Sequence, residues 1–284
     1  MKSMKYLVSA MLLGATLAGC SSNSSSSAGG AAQPSTSGKS ADSSSQQTVN
    51  VAADTTFPPF ETQTNGKVTG FDIDLINAIA KKENLKVNMK TMNFTGLIPA
   101  LQASQVDIAV AGITIKTSRE KVVSFSNAYY KSGLSILVKK SDSSVKELKD
   151  LAGKTVATKK ATSSVDILNK VGGVKVQQFD NIDDAYNQLE NGGAQAVVFD
   201  NPVNLNFMKS HPEVKTVGGL LTGEYYGIAV RKDAPDILKK VNDGFKKMQD
   251  SGEYAALYKQ YFGDDKNGLV TTTIDPATVA LHDK

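Results

Sequence analysis

The chain has 284 residues, 40% of them apolar, enough to bury one large core or two smaller ones. Its 32 basic and 28 acidic residues are interleaved and leave a net charge of +4, which argues against a nucleic-acid partner. The one cysteine rules out an internal disulfide and any metal site built on several thiolates.

Residues 1–19 read as a targeting segment. Lys2 and Lys5 form a charged start, and Tyr6 to Leu13 is an apolar run too short to span a bilayer. The segment closes on Leu17-Ala18-Gly19-Cys20, which resembles the lipobox of bacterial lipoproteins. That resemblance implies cleavage before Cys20, which becomes the mature, diacylated N-terminus, an anchor on the outer face of the cell membrane. Losing Lys2 and Lys5 leaves 30 basic residues against 28 acidic ones. Residues 20–47 are Ser, Gly, Ala, Gln and Thr with little to bury, a disordered tether.

The folded part opens with a strand at Val49 to Ala53, followed by the rigid loop Asp54-Thr55-Thr56-Phe57-Pro58-Pro59-Phe60. Gly66 and Gly70 mark a hairpin, and Phe71 to about Glu83 patterns as a helix, with Asp72 and Asp74 capping its start. Leu85 to Met92 reads as a strand, and Thr95 as the N-cap of a helix through Leu101. Val106 to Ala111 is a short apolar run expected as a buried strand, and Gly112 ends it where backbone can approach a ligand. Thr117 and Glu120 have capping-box spacing, predicting a helix with Val122 and Val123 on its apolar side. Arg119 falls in that helix's first turn, where the dipole disfavours a cation, so it is either a solvated arginine or a fork awaiting a carboxylate.

The plan then repeats. Strands are expected at Lys154 to Ala157, Val174 to Phe179 and Ala194 to Phe199, with helices at Val165 to Asn169 and Ile182 to Leu189. The last of these strands ends at Asp200. Alternating strands and helices predict two α/β lobes, each with a mostly parallel sheet flanked by helices and a ligand cleft at the strand carboxyl ends. Arg119 on one lobe and Asp200 on the other is the pairing a zwitterionic amino acid needs. Tyr225 to Val230 reads as a strand returning to the first lobe, and two helices follow at Ile237 to Met248 and Glu253 to Tyr261. Residues 264–284 form a polar tail with no assigned role.

Six motifs between Val49 and Gly263 carry a resemblance to the family 3 extracellular solute-binding proteins, the amino-acid receptors of ABC importers. They are the Asp54–Phe60 loop, Gly70-Phe71-Asp72-Ile73-Asp74-Leu75, Phe94-Thr95-Gly96-Leu97-Ile98-Pro99-Ala100-Leu101, Ala111-Gly112-Ile113-Thr114-Ile115, Phe125-Ser126-Asn127-Ala128-Tyr129-Tyr130 and Asp200-Asn201-Pro202. The resemblance implies a type II periplasmic-binding-protein fold with lobe one at 48–131 and 225–263 and lobe two at 132–224. It implies a lipid-anchored receptor that closes on a polar L-amino acid, glutamine first, and hands it to an ABC permease. No cofactor or metal is implied.

In the family's pattern, Arg119 and the backbone at Thr114 hold the α-carboxylate. Asp200, with Gly112 and the Thr114 hydroxyl, holds the α-ammonium. Phe57 and Phe94 sandwich the stem, and Asp54 and Lys159 reach the head group. Ile113, Thr162, Ser163 and Phe199 complete the expected set. The chain departs from the pattern at Ala161 and Ser163, where glycines are usual, and at Phe199, where glutamine binders often carry histidine.

Plainer readings exist for several of these residues. Phe57 and Phe94 could be core aromatics, Asp54 could satisfy its own loop, and Asp200-Asn201-Pro202 could be only a turn. His211 and His282 have no ligand-spaced neighbours in sequence, so no metal site is expected. The rival to a receptor is an enzyme on the same scaffold, dehydratase-like, and no hydrolase or kinase motif supports one. A receptor for another polar or charged amino acid is the nearer alternative.

Overall fold

The computed structural model describes residues 46–282. The predicted signal segment, Cys20 and nearly all of the tether lie outside them. No helix among the described residues is long and apolar enough to cross a membrane.

β1 (Gln47–Ala53) loses its polar alternation after Asn50, and Val51, Ala52 and Ala53 are all buried, as suits the middle of a covered sheet. Beyond it β2 (Thr56–Phe57), β3 (Glu61–Thr64) and β4 (Lys67–Thr69) form a small antiparallel meander. α1 (Phe71–Lys82) buries Ile73, Leu75, Ile76 and Ile79, and β5 (Leu85–Thr91) returns parallel to β1. α2 (Phe94–Gln102) starts at Phe94 with Asn93 at the N-cap, not at Thr95. β6 (Ile108–Val110) pairs parallel with β1 on its other side.

α3 (Thr117–Glu120) is a single turn capped by Lys116 with no side-chain hydrogen bond, so the expected capping box does not form. The chain instead extends into β7 (Val123–Phe125), burying Val123 and leaving Val122 36% exposed. A β-branched valine fits a pleated strand better than a helix, and strand pairing takes Val123 while Val122 stays in the turn before it.

β8 (Tyr130–Ser132) leaves this lobe. The second lobe holds β9 (Leu134–Lys139), β10 (Thr155–Lys159), α4 (Ser163–Lys170), β11 (Lys175–Phe179), α5 (Ile182–Glu190), β12 (Ala196–Asp200), α6 (Asn201–Met208) and β13 (Val214–Val217). β14 (Glu224–Tyr226) crosses back antiparallel to β8. The sequence suggests one continuous strand from Tyr225, but it breaks at Gly227 before β15 (Ala229–Arg231) joins the first sheet. α7 (Pro235–Asp250), α8 (Glu253–Phe262) and α9 (Pro276–Val279) complete the fold.

The two sheets repeat one design. Their orders are β5-β1-β6-β15-β7 and β11-β10-β12-β9-β13, each with three parallel strands followed by an antiparallel one. Between them the β8–β14 pair sets Tyr130 opposite Tyr226, with the rings stacked at 5.5 Å. Phe60, Phe71 and Phe262 pack edge-on or tilted against this aromatic joint, and Tyr258 stacks on Tyr130. The polar tail is not loose: Lys131 N–H donates to Gly268 O, Ala128 N–H to Ile274 O, and Leu281 bridges to Lys116. It straps lobe one and the crossing strand.

Candidate functional site

Asp54, Lys159 and Asp200 sit at the carboxyl ends of sheet strands, and the loops and short elements that follow carry most of the other candidates. Asp54 follows β1, and its Oδ1 accepts the Thr55 and Thr56 N–H groups at 2.6 and 3.1 Å, while Oδ2 meets Lys159 Nζ from the end of β10. The loop-satisfying reading and the functional one therefore use different oxygens of the same carboxylate. Lys159 also donates to Thr56 Oγ1 at 2.7 Å and lies 5.9 Å from the Phe94 ring centre.

Gly112 has φ +51°, and a Cβ there would stand 2.2 Å from the Phe57 ring, so glycine is what lets this loop lie against the aromatic wall. Its N–H donates to Asp72 Oδ2 at 2.8 Å. Asp72 therefore does not cap α1, whose N-cap is Gly70 with no side-chain bond. It is fully buried, takes a second hydrogen bond from Tyr129 OH at 2.7 Å, and faces Glu61. Burial pushes the Asp72 carboxyl up to about 7, and burial together with Asp72 and Asp54 pushes Glu61 well above the usual range. A buried carboxyl pair, Glu61 with Asp72, thus stands behind Gly112.

Arg119 on α3 is buried and reaches across the cleft. Nη1 donates to Thr114 O of its own lobe at 2.8 Å and Nη2 to Ala161 O of the other at 2.9 Å, with the guanidinium 5.4 Å from the Phe94 ring centre. Ala161 has φ +60°, the left-handed region glycine prefers, which explains why a glycine is usual there. Thr162 and Ser163 open α4, Thr162 Oγ1 donating to Lys159 O at 2.8 Å. Phe199 meets Phe57 edge-on at 5.6 Å. Asp200 ends β12 and accepts from Tyr226 OH at 2.5 Å. Its pKa is pushed up to about 7, first by burial and then by the negative charge of Glu224.

Phe57, Phe94, Gly112, Thr114, Arg119, Lys159, Thr162, Ser163, Phe199 and Asp200 line one small cleft together with Ala111. Asp54 stands behind Lys159. Ile113 does not line it: its side chain is 1% exposed in the core of lobe one, and its carbonyl accepts from Gly227 N–H. A larger opening of about 550 Å³ beside β8, lined by Lys131, Asn206, Lys209 and Leu220 among others, lacks this convergence of buried charge.

The model of bacterial extracellular solute-binding proteins, family 3, matches residues 49–264. The chain belongs to that family. A probable histidine-binding protein of Neisseria gonorrhoeae is 36% identical over 223 residues, covering 76% of this chain and 83% of its own. The ABC transporter glutamine-binding protein GlnH of Bacillus subtilis is 34% identical over 220 residues, covering 76% and 80%. An ancestral arginine-binding protein, solved bound to arginine, is 45% identical with a TM-score of 0.74, covering 76% of this chain and 98% of its own. An ancestral arginine-binding protein solved bound to glutamine is likewise 45% identical, with a TM-score of 0.73.

In this family 3 solute-binding protein the residue that sequence reasoning missed is Glu224. It stands on the returning crossing strand, fully buried, and accepts from Thr114 Oγ1 at 2.8 Å and Ser163 Oγ at 2.9 Å. A lone glutamate in an otherwise apolar strand was the available signal. The binding protein also gives His211 neighbours its sequence does not suggest. Glu190 and Glu213 put carboxylate oxygens beside it within a 4.8 Å cluster, partly exposed, with Nε2 3.5 Å from Glu190 Oε1. Glu190 arrives through the fold, from the end of α5.

Proposed function

We propose that the cleft captures L-glutamine and that the residues lining it are its contacts. The chain is an amino-acid-binding substrate receptor of an ABC importer; at the level of the family the role is solute binding for transport, not catalysis. One observation supports the glutamine reading: Lys159 lines the cleft, with Asp54 and Thr56 in hydrogen-bond contact directly behind it. A side-chain amide needs one acceptor for its NH₂ and one donor for its oxygen, and this trio supplies both. Arg119 and Asp200, from opposite lobes, take the α-carboxylate and α-ammonium. Glutamate would set a carboxylate against Asp54, a repulsion on the order of 4 kcal/mol at about 4 Å and an effective dielectric near 20, partly recovered by Lys159.

A cationic ligand such as arginine is the second reading. Asp54, Asp200 and Glu224 outnumber Arg119 and Lys159 among the buried charges here, and ancestral arginine-binding proteins 45% identical to this chain have been solved with either ligand. Calorimetry with glutamine, glutamate, asparagine, arginine and histidine separates the two. Glutamine is expected to bind tightest, and arginine binding tighter overturns the assignment. The lipobox adds a lipid-anchored position outside the membrane, next to the permease.

A further inference from the structure

We propose that Glu224 is the interlobe junction of the closed cleft, a positioning residue that makes the Thr114 and Ser163 oxygens acceptors toward the ligand's ammonium and ties capture to the crossing strands. The proposal rests on the amino-acid reading above and extends it to a residue outside the cleft lining.

Glu224 is 0% exposed, and side-chain hydroxyls donate to both of its carboxylate oxygens. Oε2 accepts from Thr114 Oγ1 at 2.8 Å and from Ser163 Oγ at 2.9 Å; Oε1 accepts from Thr222 Oγ1 at 2.8 Å. A hydroxyl has one proton. Once Thr114 and Ser163 give theirs to Glu224, they turn only lone pairs to the cleft, which suits an ammonium and refuses a carboxylate. Glu224 thereby sets which end of a zwitterion goes where.

The three donors come from three parts of the molecule. Thr114 belongs to lobe one, Ser163 opens α4 of lobe two, and Thr222 lies on the returning segment, where its oxygen accepts Leu134 N–H at 3.0 Å. Glu224 itself pairs with Ser132 across the crossing strands. Parting the lobes must break at least one of the two bonds to Oε2 and leave a carboxylate under-satisfied at the joint. Closing restores it.

Glu224 also acts on Asp200, whose other facing groups are Tyr226, Tyr186 and Arg119. Burial and Glu224 raise the Asp200 carboxyl, and a bound ammonium draws it back to the charged form.

The test is calorimetry on wild type and Glu224→Gln across pH 5.5–8.5, with the tightest-binding amino acid as probe. Glu224→Gln keeps the shape but loses the charge and turns NH₂ donors toward the hydroxyls. Affinity is expected to fall about ten- to a hundredfold, the loss of a hydrogen bond to a charged group. The pH midpoint of binding is expected to move down, which a merely structural role would not do. Ser163→Ala should weaken wild type but add little to Glu224→Gln. If circular dichroism shows that Glu224→Gln does not fold, Thr114→Val against Thr114→Ser decides: loss with valine and near-normal binding with serine supports the junction, and equal behaviour overturns it. A wild type that binds while Glu224→Gln matches it in affinity and pH midpoint also overturns it. If wild type binds no amino acid, the amino-acid reading falls separately. The junction is then decided by the ligand-free radius of gyration, which rises in Glu224→Gln if Glu224 holds the lobes and stays unchanged if it does not.

Discussion

Lys159 Nζ meets the Asp54 carboxylate across the lobe boundary, with both side chains at most 5% exposed. Removing one partner of such a pair strands a buried charge, at a cost of about 3–5 kcal/mol. Asp54→Asn is therefore expected to weaken glutamine binding and to shrink the preference for glutamine over glutamate. Lys159→Met, which keeps the length without the charge, should weaken glutamine and glutamate and relieve arginine. Titration calorimetry of the three ligands on both variants reads this directly, and an unmoved glutamine-to-glutamate ratio in Asp54→Asn refutes the head-group assignment.

Arg119 carries a second load. Its guanidinium joins Thr114 O of one lobe to Ala161 O of the other, a link between lobes in addition to the carboxylate role proposed for it. Arg119→Ala is expected to cut affinity more than a hundredfold, roughly 3 kcal/mol or more, with the domain still folded. Near-normal binding by calorimetry sinks the α-carboxylate role.

Closure should show in solution. Polar contacts between the lobes include Lys159 with Asp54 and Thr56, Arg119 with Ala161, and Lys116 with Asp166. Saturating ligand is expected to lower the radius of gyration in small-angle scattering, as the shut population gains contacts available only when shut. Asp166 is 36% exposed but Lys116 only 7%, so Asp166→Asn is expected to weaken binding, by less than loss of the fully buried Asp54–Lys159 pair. A larger effect would make that pair a gate.

The pH response has a worked sign. Asp72 and Asp200 are pushed up to about 7, chiefly by burial, against about 3.9 in an unfolded chain. Between those values the folded state binds more protons, so the stability these two groups contribute is full below about pH 4 and falls as pH rises through 7. Asp200→Asn is expected to flatten that fall in ligand-free urea titrations. Ligand affinity runs the other way, rising with pH as Asp200 ionises, by about tenfold between pH 6 and the plateau above 8. Affinity independent of pH over that range would remove Asp200 from the ammonium site.

Cys20→Ala tests the anchor. Two acyl chains hold a protein stably at a membrane where one binds only marginally. Membrane fractionation should show the variant released, and an unchanged distribution overturns the lipoprotein reading.

The local grammar of this chain was decisive for its architecture. Apolar runs of strand length between helical stretches imply the two repeated sheets, and Gly112 and Asp200 at strand ends imply where a cleft opens. Local signals misled where two of them competed. Thr117 and Glu120 have capping spacing, but Val123 gains more in a sheet edge beside Arg231 than in a second helical turn. Asp72 lies at a helix start, yet its carboxylate turns away to hold Gly112, which stands 40 residues later in the chain. Tertiary structure alone decided the polar pairings. Glu224 is 110 residues from Thr114 and 61 from Ser163, and Lys159 is 105 from Asp54. Periodicity records which side of an element is apolar, because burial acts on every residue of a face. It carries no record of which buried carboxylate meets which donor, because that depends on where two sheets and their crossing strands bring single side chains within 3 Å.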